Sequence, residues 1–282
     1  MIVKPTISVV LNVYKRSSIF GQQLVALNNQ SIKPIEILVW ENGTESVPNE
    51  YRNQVLIVRS AKNLGVWARF AFALNAKGEF ICIFDDDTIP GERWLENCYR
   101  TMQETPGLLG TRGIVFDNPN AYSMHRDIGV YGPNNITQPV DVVGHSWFFK
   151  TSWLSHFWRE YENRFPEDLA GEDIHFSYAI QKILGLPTLV PPHPAADLSL
   201  WGSNPEFAKE LGAGEEAISQ SSESLKRFEN ALQHYRKMGF KTISEIGGLH
   251  SRYPSIVYCV IRRFPKFSHE IARRYKSFRG AK

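Results

Sequence analysis

Strand-like and helix-like segments alternate through the first hundred residues, and this alternation constrains the fold more than any other feature of the sequence. The helix-like stretches, 17–29 and 66–76, carry apolar residues at helical intervals. The strand-like stretches are rich in β-branched and aromatic residues: 6–13, 35–40, 55–58 and 80–84. Strands that alternate with helices of about a dozen residues form βαβ units. The sequence therefore predicts an α/β fold, with a mostly parallel sheet and helices on both of its faces.

The fourth strand-like stretch runs directly into three consecutive aspartates, FICIFDDDT at residues 80–88. Adjoining carboxylates repel one another, so the fold must neutralise them, and Mn²⁺ or Mg²⁺ is a suitable partner because both prefer oxygen ligands. In an extended backbone Asp85 and Asp87 point to one side and Asp86 to the other. The alternative is a solvated turn in which Asp87 or Thr88 caps a helix that opens near Pro90.

The later part of the sequence continues with further strand and helix patterns. A polar segment at 117–138 is rich in Asn, Gly and Pro, and a connection of this length is either functional or disordered. A helix is predicted to begin at or near Asp173 and to stop at Gly185, and 221–238 has one apolar face at helical spacing. The remaining predicted elements are strands at 108–115, 140–149 and 188–190 and helices at 94–102 and 151–158. In parallel sheets ligands bind at the carboxyl ends of strands, where the aspartates lie.

Composition places the chain among ordinary globular proteins, with 43% hydrophobic and 22% charged residues. Its three cysteines form no CxxC motif, so neither a zinc site nor a disulfide framework is indicated, and Cys82 is predicted to pack in the core. No apolar run approaches the length of a membrane span, and a strand pattern stands in place of a secretory signal. A cytoplasmic location is the expectation.

Charge is distributed unevenly along the sequence. Residues 251–282 hold nine Lys or Arg and a single acidic residue, Glu270, whereas residues 1–250 hold 23 basic and 28 acidic residues, a net charge of −5. Apolar residues at 256–261 accompany the basic ones, a mixture that is typical of segments that lie at a membrane surface. The tail predicts peripheral contact with the inner face of a membrane; the alternative is a packing strand and a solvated helix.

The motifs and their order resemble family 2 glycosyltransferases of the GT-A fold, the nucleotide-diphospho-sugar transferase fold with a Rossmann-like sheet. The motifs are a first strand ending in Tyr-Lys-Arg, a second ending in Glu-Asn-Gly, NLG before a helix, DDD, and GED at a later helix start. The segments FDDDT and VGHSWFFKTSWL are similar in part to the exostosin-type transferases of family 64. The resemblance covers roughly the first two hundred residues, so we expect a GT-A domain at 1–205 and a helical, basic C-terminal extension at 206–282.

The resemblance implies a binding site for a nucleotide-sugar donor. Glu41 stands where the family more often has the Asp that bonds the base, which favours a uridine nucleotide, and Asp87 would hold the metal. Arg69 has an exposed helix charge as its alternative role. The residues implied to bind the donor are Val13, Tyr14, Arg16, Glu41, Asn63, Arg69, Asp85 and Asp86.

The resemblance also assigns the catalytic and acceptor residues. Asp173 matches the catalytic base, which takes the proton of the acceptor hydroxyl, with Glu172 as the alternative base. Asp173 is equally suited to cap its helix. His193 would be a further metal or diphosphate ligand, and its alternative is a structural histidine. Aromatic faces pack on sugar CH groups, so an acceptor platform is implied, with core packing as the alternative. Its residues would be His145, Trp147 and Trp153.

Together these features predict a metal-dependent enzyme of polysaccharide or glycoconjugate synthesis. It would move a sugar from a nucleotide donor, UDP-linked by expectation, to a hydroxyl of a saccharide or lipid-linked saccharide with inversion at the anomeric carbon. A retaining, exostosin-like transferase is one alternative. A sugar-nucleotide nucleotidyltransferase is another, but the Gly-rich, Lys-containing first loop of that class is absent from residues 11–19. A nucleic-acid-binding protein is disfavoured because residues 1–250 are acidic.

Overall fold

The computed structural model describes residues 4–161, 171–212 and 222–250. The strands in chain order are β1 (Ile7–Val13), β2 (Glu36–Asn42), β3 (Leu56–Ser60), β4 (Phe80–Phe84), β5 (Leu108–Leu109), β6 (Arg112–Phe116), β7 (His125–Gly129), β8 (Gln138–Val140), β9 (Val142–Gly144), β10 (Ser146–Lys150) and β11 (Thr188–Val190). The helices are α1 (Phe20–Asn28), α2 (Ala68–Phe72), α3 (Trp94–Glu104), α4 (Leu154–Arg159), α5 (Glu172–Leu184), α6 (Pro205–Gly212), α7 (Ser222–Lys237) and α8 (Ile243–His250).

Eight of these strands form one sheet in the order β3-β2-β1-β4-β10-β5-β11-β8. The pairs among β3, β2, β1 and β4 are all parallel, whereas β10 runs antiparallel to both β4 and β5. The order reverses beside β1, since β2 and β3 lie on one side of it and β4 on the other. Such a reversal opens a crevice at the carboxyl ends of the strands. The α/β class and the GT-A architecture are confirmed.

A second, three-stranded sheet has the order β7-β6-β9. The predicted strand 108–115 is broken between Leu109 and Arg112. The chain packs so closely there that a β-carbon on Gly110 would collide with Val143 and lie 2.7 Å from the carbonyl oxygen of Ser146. The predicted strand 140–149 is broken at His145, whose φ of 64° is uncommon for a residue with a side chain. These two breaks allow the chain to pass between the large sheet and the small one.

Packing follows the apolar pattern of the sequence. All five residues of β4 are buried, Cys82 among them as predicted, and Leu24 of α1 and Trp94 of α3 belong to the same core. A second core joins α5, α7 and the small sheet through residues such as Ile174, Leu232 and Tyr235. The helix predicted at 221–238 is therefore present, and it packs directly on the α/β body.

Some expectations fall on residues that the structure does not describe or does not test. The basic tail 251–282, with Cys259, lies outside the described residues. The domain boundary at 205 stays a prediction. Among the described residues, no helix combines the length and the apolar character needed to cross a membrane.

Candidate functional site

A cavity of about 330 Å³ opens at the carboxyl ends of β1, β2 and β4, a volume typical of ligand pockets. One wall is formed by the residues that follow β1 and β2, the floor by the aspartates after β4, and a further wall by the first turn of α5. Residues of the small sheet and of α7 also line the cavity. The cavity therefore lies where the reversal of strand order predicts a ligand site.

The three aspartates occupy a turn and not an extension of β4. The N–H of Thr88 donates to the carbonyl oxygen of Asp85 at 3.2 Å, which folds the backbone directly after the strand. As a result Asp86 and Asp87 approach the same cation: Arg16 Nη1 lies 2.9 Å from Asp86 Oδ1 and 3.4 Å from Asp87 Oδ2. The predicted alternation of the three side chains is wrong, because it assumed an extended backbone.

The aspartate turn is not a solvated helix cap either. The side chains of Asp86 and Asp87 are only 14% and 16% exposed, and α3 begins at Trp94 without a side-chain cap. Burial raises the pKa of Asp86 to about 6, and the charges of Asp87 and Asp85 add to the effect while Arg16 opposes it. The site thus holds negative charge that its own arginines neutralise only in part.

The donor set at this turn suits a hard divalent cation that also takes ligands from a substrate. Among the described residues, no group of three or more His, Cys, Asp and Glu side chains is arranged to hold a metal ion alone. Mg²⁺ is usually held by one or two carboxylates together with substrate phosphates, and Asp87 with Asp86 offers that number. The residues present therefore fit a cation that is shared with a diphosphate.

Arg69 connects the aspartate turn to helix α5. Its Nη1 pairs with Asp85 Oδ1, its Nη2 donates to Glu172 Oε1 at 2.6 Å, and its guanidinium lies 4.4 Å from the ring centroid of Trp147. The arginine side chain is 6% exposed and Glu172 is 7% exposed. The alternative role of Arg69 as an exposed helix charge is wrong, because its guanidinium is buried between two carboxylates.

Helix α5 brings Glu172 and Asp173 to the cavity in its first turn. The residue before the helix is Gly171, with a left-handed φ of 98°, and a β-carbon there would lie 2.8 Å from Cβ of Ala231 in α7. Only glycine suits both constraints. The helix cap is therefore Gly171, and the alternative that Asp173 is the cap is wrong. Asp173 Oδ1 instead accepts the N–H of Ile174 at 2.7 Å.

Burial shapes the acidity of both carboxyl groups on α5. Loss of hydration raises the pKa of Glu172, while Arg69 opposes the rise. Burial likewise raises the pKa of Asp173, and the hydrogen bond from the Ile174 N–H and the positive charge of Arg112 limit the shift. A carboxylate whose pKa is raised toward neutrality is a stronger base than an ordinary aspartate, and it is still ionised at neutral pH when the shift is modest.

The loops after β1 and β2 form the opposite wall. Asn42 Nδ2 donates to Asn63 Oδ1 at 2.9 Å, and Asn42 Oδ1 accepts the N–H of Leu64 at 2.8 Å, so the NLG segment is tied to the end of β2. Tyr14, Arg16 and Asn63 line the cavity as expected.

Four residues of the predicted site do not line the cavity. The Val13 side chain is buried in the core, and Trp153 is 6% exposed at the start of α4. Glu41 is fully buried, and its Oε1 accepts from Val47 N at 2.8 Å and Arg52 Nη1 at 2.7 Å. His193 is also fully buried: its Nδ1 lies 2.8 Å from the Pro191 oxygen and its Nε2 accepts the N–H of Gly202. With both nitrogens occupied, His193 has the geometry of the structural histidine named as its alternative.

His145 and Trp147, predicted to bind the acceptor, line the cavity. The cavity is also lined by residues that the sequence analysis did not assign to the site. These additional residues come from the small sheet, the polar segment 117–138 and α7: Arg112, Tyr122, Tyr131, Ser224, Arg227 and Phe228. The length of segment 117–138 was a usable signal for the two tyrosines. No local motif marked the residues of α7.

The match to a protein family agrees with this architecture. The model of the family described as "Glycosyl transferase family 2" matches residues 8–178. Among solved structures, the crystal structure of S. aureus TarS 1–349 is similar over 94% of this chain and 82% of that chain, with 16% identity and a TM-score of 0.49. No curated protein sequence matches. The family match spans more than half of the chain and includes the aspartate turn, Arg69 and Asp173. The chain therefore belongs to glycosyl transferase family 2, and it is a glycosyltransferase of the GT-A fold that uses a nucleotide sugar.

Proposed function

We propose that the protein uses a divalent cation to transfer a sugar from a UDP-linked donor to a hydroxyl of a saccharide or lipid-linked saccharide, with inversion at the anomeric carbon. The observation that carries the proposal is that the aspartate turn, Arg69 and Asp173 line one cavity. One side of that cavity offers polar groups for a nucleotide and the other offers aromatic groups for a sugar. Polysaccharide or glycoconjugate synthesis is the corresponding role.

The donor would lie along the wall formed by the ends of β1 and β2. Tyr14 provides an aromatic face there, and Asn42 and Asn63 provide amide groups on a loop held by its own hydrogen bonds. Arg16 lies close to the aspartate turn, where the diphosphate of the donor would end. Glu41 does not reach this wall, so the preference for uridine rests on the family resemblance and not on a base contact from Glu41.

Asp87, with Asp86, would hold Mn²⁺ or Mg²⁺ at the turn. The bound cation would neutralise negative charge on the departing diphosphate. Arg16, which pairs with both of these carboxylates, would lie within reach of the donor phosphates. Arg69 pairs with both Asp85 and Glu172, so it would hold the aspartate turn and the first turn of α5 at a fixed distance from each other.

Asp173 would act as the general base. One of its oxygens accepts the N–H of Ile174, and the other has no hydrogen-bond partner among the described residues, whereas Glu172 is engaged by Arg69. The free oxygen would take the proton of the acceptor hydroxyl as that oxygen attacks the anomeric carbon and the bond to the diphosphate breaks. A single displacement of this kind inverts the configuration at that carbon.

The proposal is tested by the slow hydrolysis of donor that transferases carry out without acceptor. A panel of UDP-sugars should be hydrolysed with Mn²⁺ and left intact with EDTA. Proton NMR of the first-formed sugar should give the anomer opposite to that of the donor. Hydrolysis that is equal with Mn²⁺ and EDTA would contradict the metal requirement, and a retained anomer would favour the exostosin-like alternative.

We further predict that residues 251–282 bring the enzyme to an anionic membrane surface. The support is the charge segregation in the sequence, and each Lys or Arg near such a surface contributes about 1 kcal/mol. The full-length chain should sediment with vesicles that contain anionic lipid at low salt and should be released at high salt, because salt screens the attraction. Equal recovery in the supernatant for the full chain and for a chain ending at residue 250 would contradict the prediction.

A further inference from the structure

We propose that the acceptor is a saccharide that carries an anionic substituent, and that Arg112 and Arg227 bind this substituent. The inference rests on the proposed function and adds the chemical class of the acceptor. It concerns the wall of the cavity that β6, the segment after β6 and α7 form together. Helix α7 lies outside the family match at residues 8–178, so its part of the wall, with Arg227 and Phe228, is a feature of this chain beyond the matched residues.

The wall is built as a unit, because α7 is bound to the polar segment along its length. Phe228 stacks on Tyr122 with ring centroids 4.8 Å apart and planes 9° from parallel. Glu229 Oε2 accepts the N–H of Tyr122 at 2.7 Å, and Gln233 Nε2 donates to the carbonyl oxygen of Asn120 at 2.6 Å. The position of Phe228 and Arg227 in the cavity is therefore set by packing and not by chance exposure of a surface helix.

The two arginines keep donors available in this wall. Arg112 Nε donates to Asp127 Oδ1 at 2.7 Å, and among the described residues the terminal Nη atoms of Arg112 have no hydrogen-bond partner. Arg227 Nη2 lies 2.7 Å from Glu223 Oε1. The Glu223 side chain is 76% exposed, so this ion pair is well hydrated. Exposed pairs of this kind contribute little energy, so a ligand can replace them at small cost. The Arg112 and Arg227 side chains are 20% and 27% exposed.

The location of the arginines points to the acceptor and not to the donor. Arg112 lies close enough to Asp173 for its charge to lower the pKa of that base. Helix α7 touches the start of α5, where Gly171 meets Ala231. The donor diphosphate has its own partners at the aspartate turn and Arg16. Cations placed beside the base therefore face the molecule whose hydroxyl is deprotonated.

The chemistry of the wall matches a charged sugar. Tyr131, which is exposed, and Phe228 offer aromatic surface for sugar CH groups, and guanidinium groups bind carboxylates and phosphates through paired N–H donors. Among the described residues, the ion pairs of these two arginines are with Asp127 and Glu223, and a neutral acceptor would add no negative charge to them. A uronate carboxylate and a phosphate substituent share the required charge, and the experiment below separates them.

The test compares three probes that differ in charge: methyl glucoside, methyl glucuronoside and glucose 6-phosphate. Saturation-transfer NMR on the full chain, with and without saturating UDP and Mg²⁺, gives their affinities. We expect at least one anionic probe to bind about tenfold or more tightly than the neutral one, because a hydrogen bond between a guanidinium and an anion is stronger than one between neutral groups. The stronger anion identifies the substituent as carboxylate or phosphate.

Variants assign the preference to the two arginines. The double variant Arg112→Gln/Arg227→Gln should bind all three probes equally weakly. Arg227→Gln alone removes only a hydrated pair with Glu223, so it should keep the fold and lose part of the preference. The matched control Arg126→Gln removes an arginine that pairs with Asp117 outside the cavity and should behave as the wild type. Equal binding of neutral and anionic probes by the wild type, or an unchanged preference in the double variant, would overturn the inference. Calorimetric titration of UDP into the same samples distinguishes a failure of this inference from a failure of the proposed function. If UDP still binds and no preference for the anionic probes is seen, only this inference is contradicted.

Discussion

Asp173→Asn should reduce turnover by about 100-fold or more and leave donor affinity nearly unchanged, because it removes a general base and no donor contact. The amide oxygen can still accept the N–H of Ile174, and the helix cap is Gly171, so α5 keeps its start. Burial raises the pKa of Asp173, which means that the folded state disfavours the ionised carboxylate at neutral pH. The neutral variant should therefore melt at the same temperature as the wild type or higher.

The pH profile supplies an independent check on Asp173. Only the ionised carboxylate accepts a proton, and its pKa lies above that of an ordinary aspartate. Turnover of the wild type should accordingly fall as the pH is lowered through that raised pKa, and the residual turnover of Asp173→Asn should lack this limb. Glu172→Gln is the matched comparison. If it abolishes turnover while Asp173→Asn retains most of it, the base is Glu172.

Arg69→Met should lower the free energy of unfolding by about 3–5 kcal/mol at neutral pH, the range for removing one member of a buried ion pair. The loss follows because Glu172 and Asp85 would be left without their shared cation, while Met keeps much of the packing against Trp147. Chemical denaturation at pH 7.5 measures the change. Arg126→Gln is the control, since its pair with Asp117 is exposed and is expected to matter by less than about 1 kcal/mol.

The pH dependence of Arg69→Met distinguishes a lost charge from lost packing. Burial already raises the pKa of Glu172 while Arg69 opposes the rise, so removing the arginine should move this pKa further above its value in the unfolded chain. The folded wild type takes up a proton on Glu172 near pH 8 and the folded variant does so at a higher pH, so the deficit of the variant should be larger at pH 9.5 than at pH 7.5. A deficit that is equal at both pH values would assign the effect to packing.

Local patterns were sufficient for the α/β part of the molecule. The strands at 6–13, 35–40 and 80–84 were identified because buried parallel strands are continuous apolar runs, and each appears in the structure within two residues. Their carboxyl ends met at one edge, which brought Tyr14, Arg16 and the aspartates together as expected. The family resemblance added Arg69 and Asp173, whose positions in the cavity no periodicity could have indicated.

Tertiary contacts decided the features that the sequence analysis missed. The turn at Asp85 is held by Gln23, whose Nε2 donates to the carbonyl oxygens of Asp85 and Thr88, so the aspartates do not alternate. The break at His145 depends on the pairing of its two flanking strands with different sheets. Helix α7 enters the site because its aromatic face covers the small sheet, and the apolar spacing of 221–238 reveals a buried face without revealing its partner.

The central claim is that the aspartate turn holds a divalent cation against the diphosphate of a nucleotide. Calorimetric titration of UDP into the wild type and Asp87→Asn, each with Mn²⁺ and with EDTA, tests it most directly. The wild type should bind UDP at least about tenfold more tightly with Mn²⁺, while Asp87→Asn should bind weakly and equally under both conditions, since an amide lacks the charge that holds the cation. Asp117→Asn, on the exposed pair with Arg126, should match the wild type. Equal UDP affinity with Mn²⁺ and EDTA in the wild type, or an unchanged response to Mn²⁺ in Asp87→Asn, would contradict the claim.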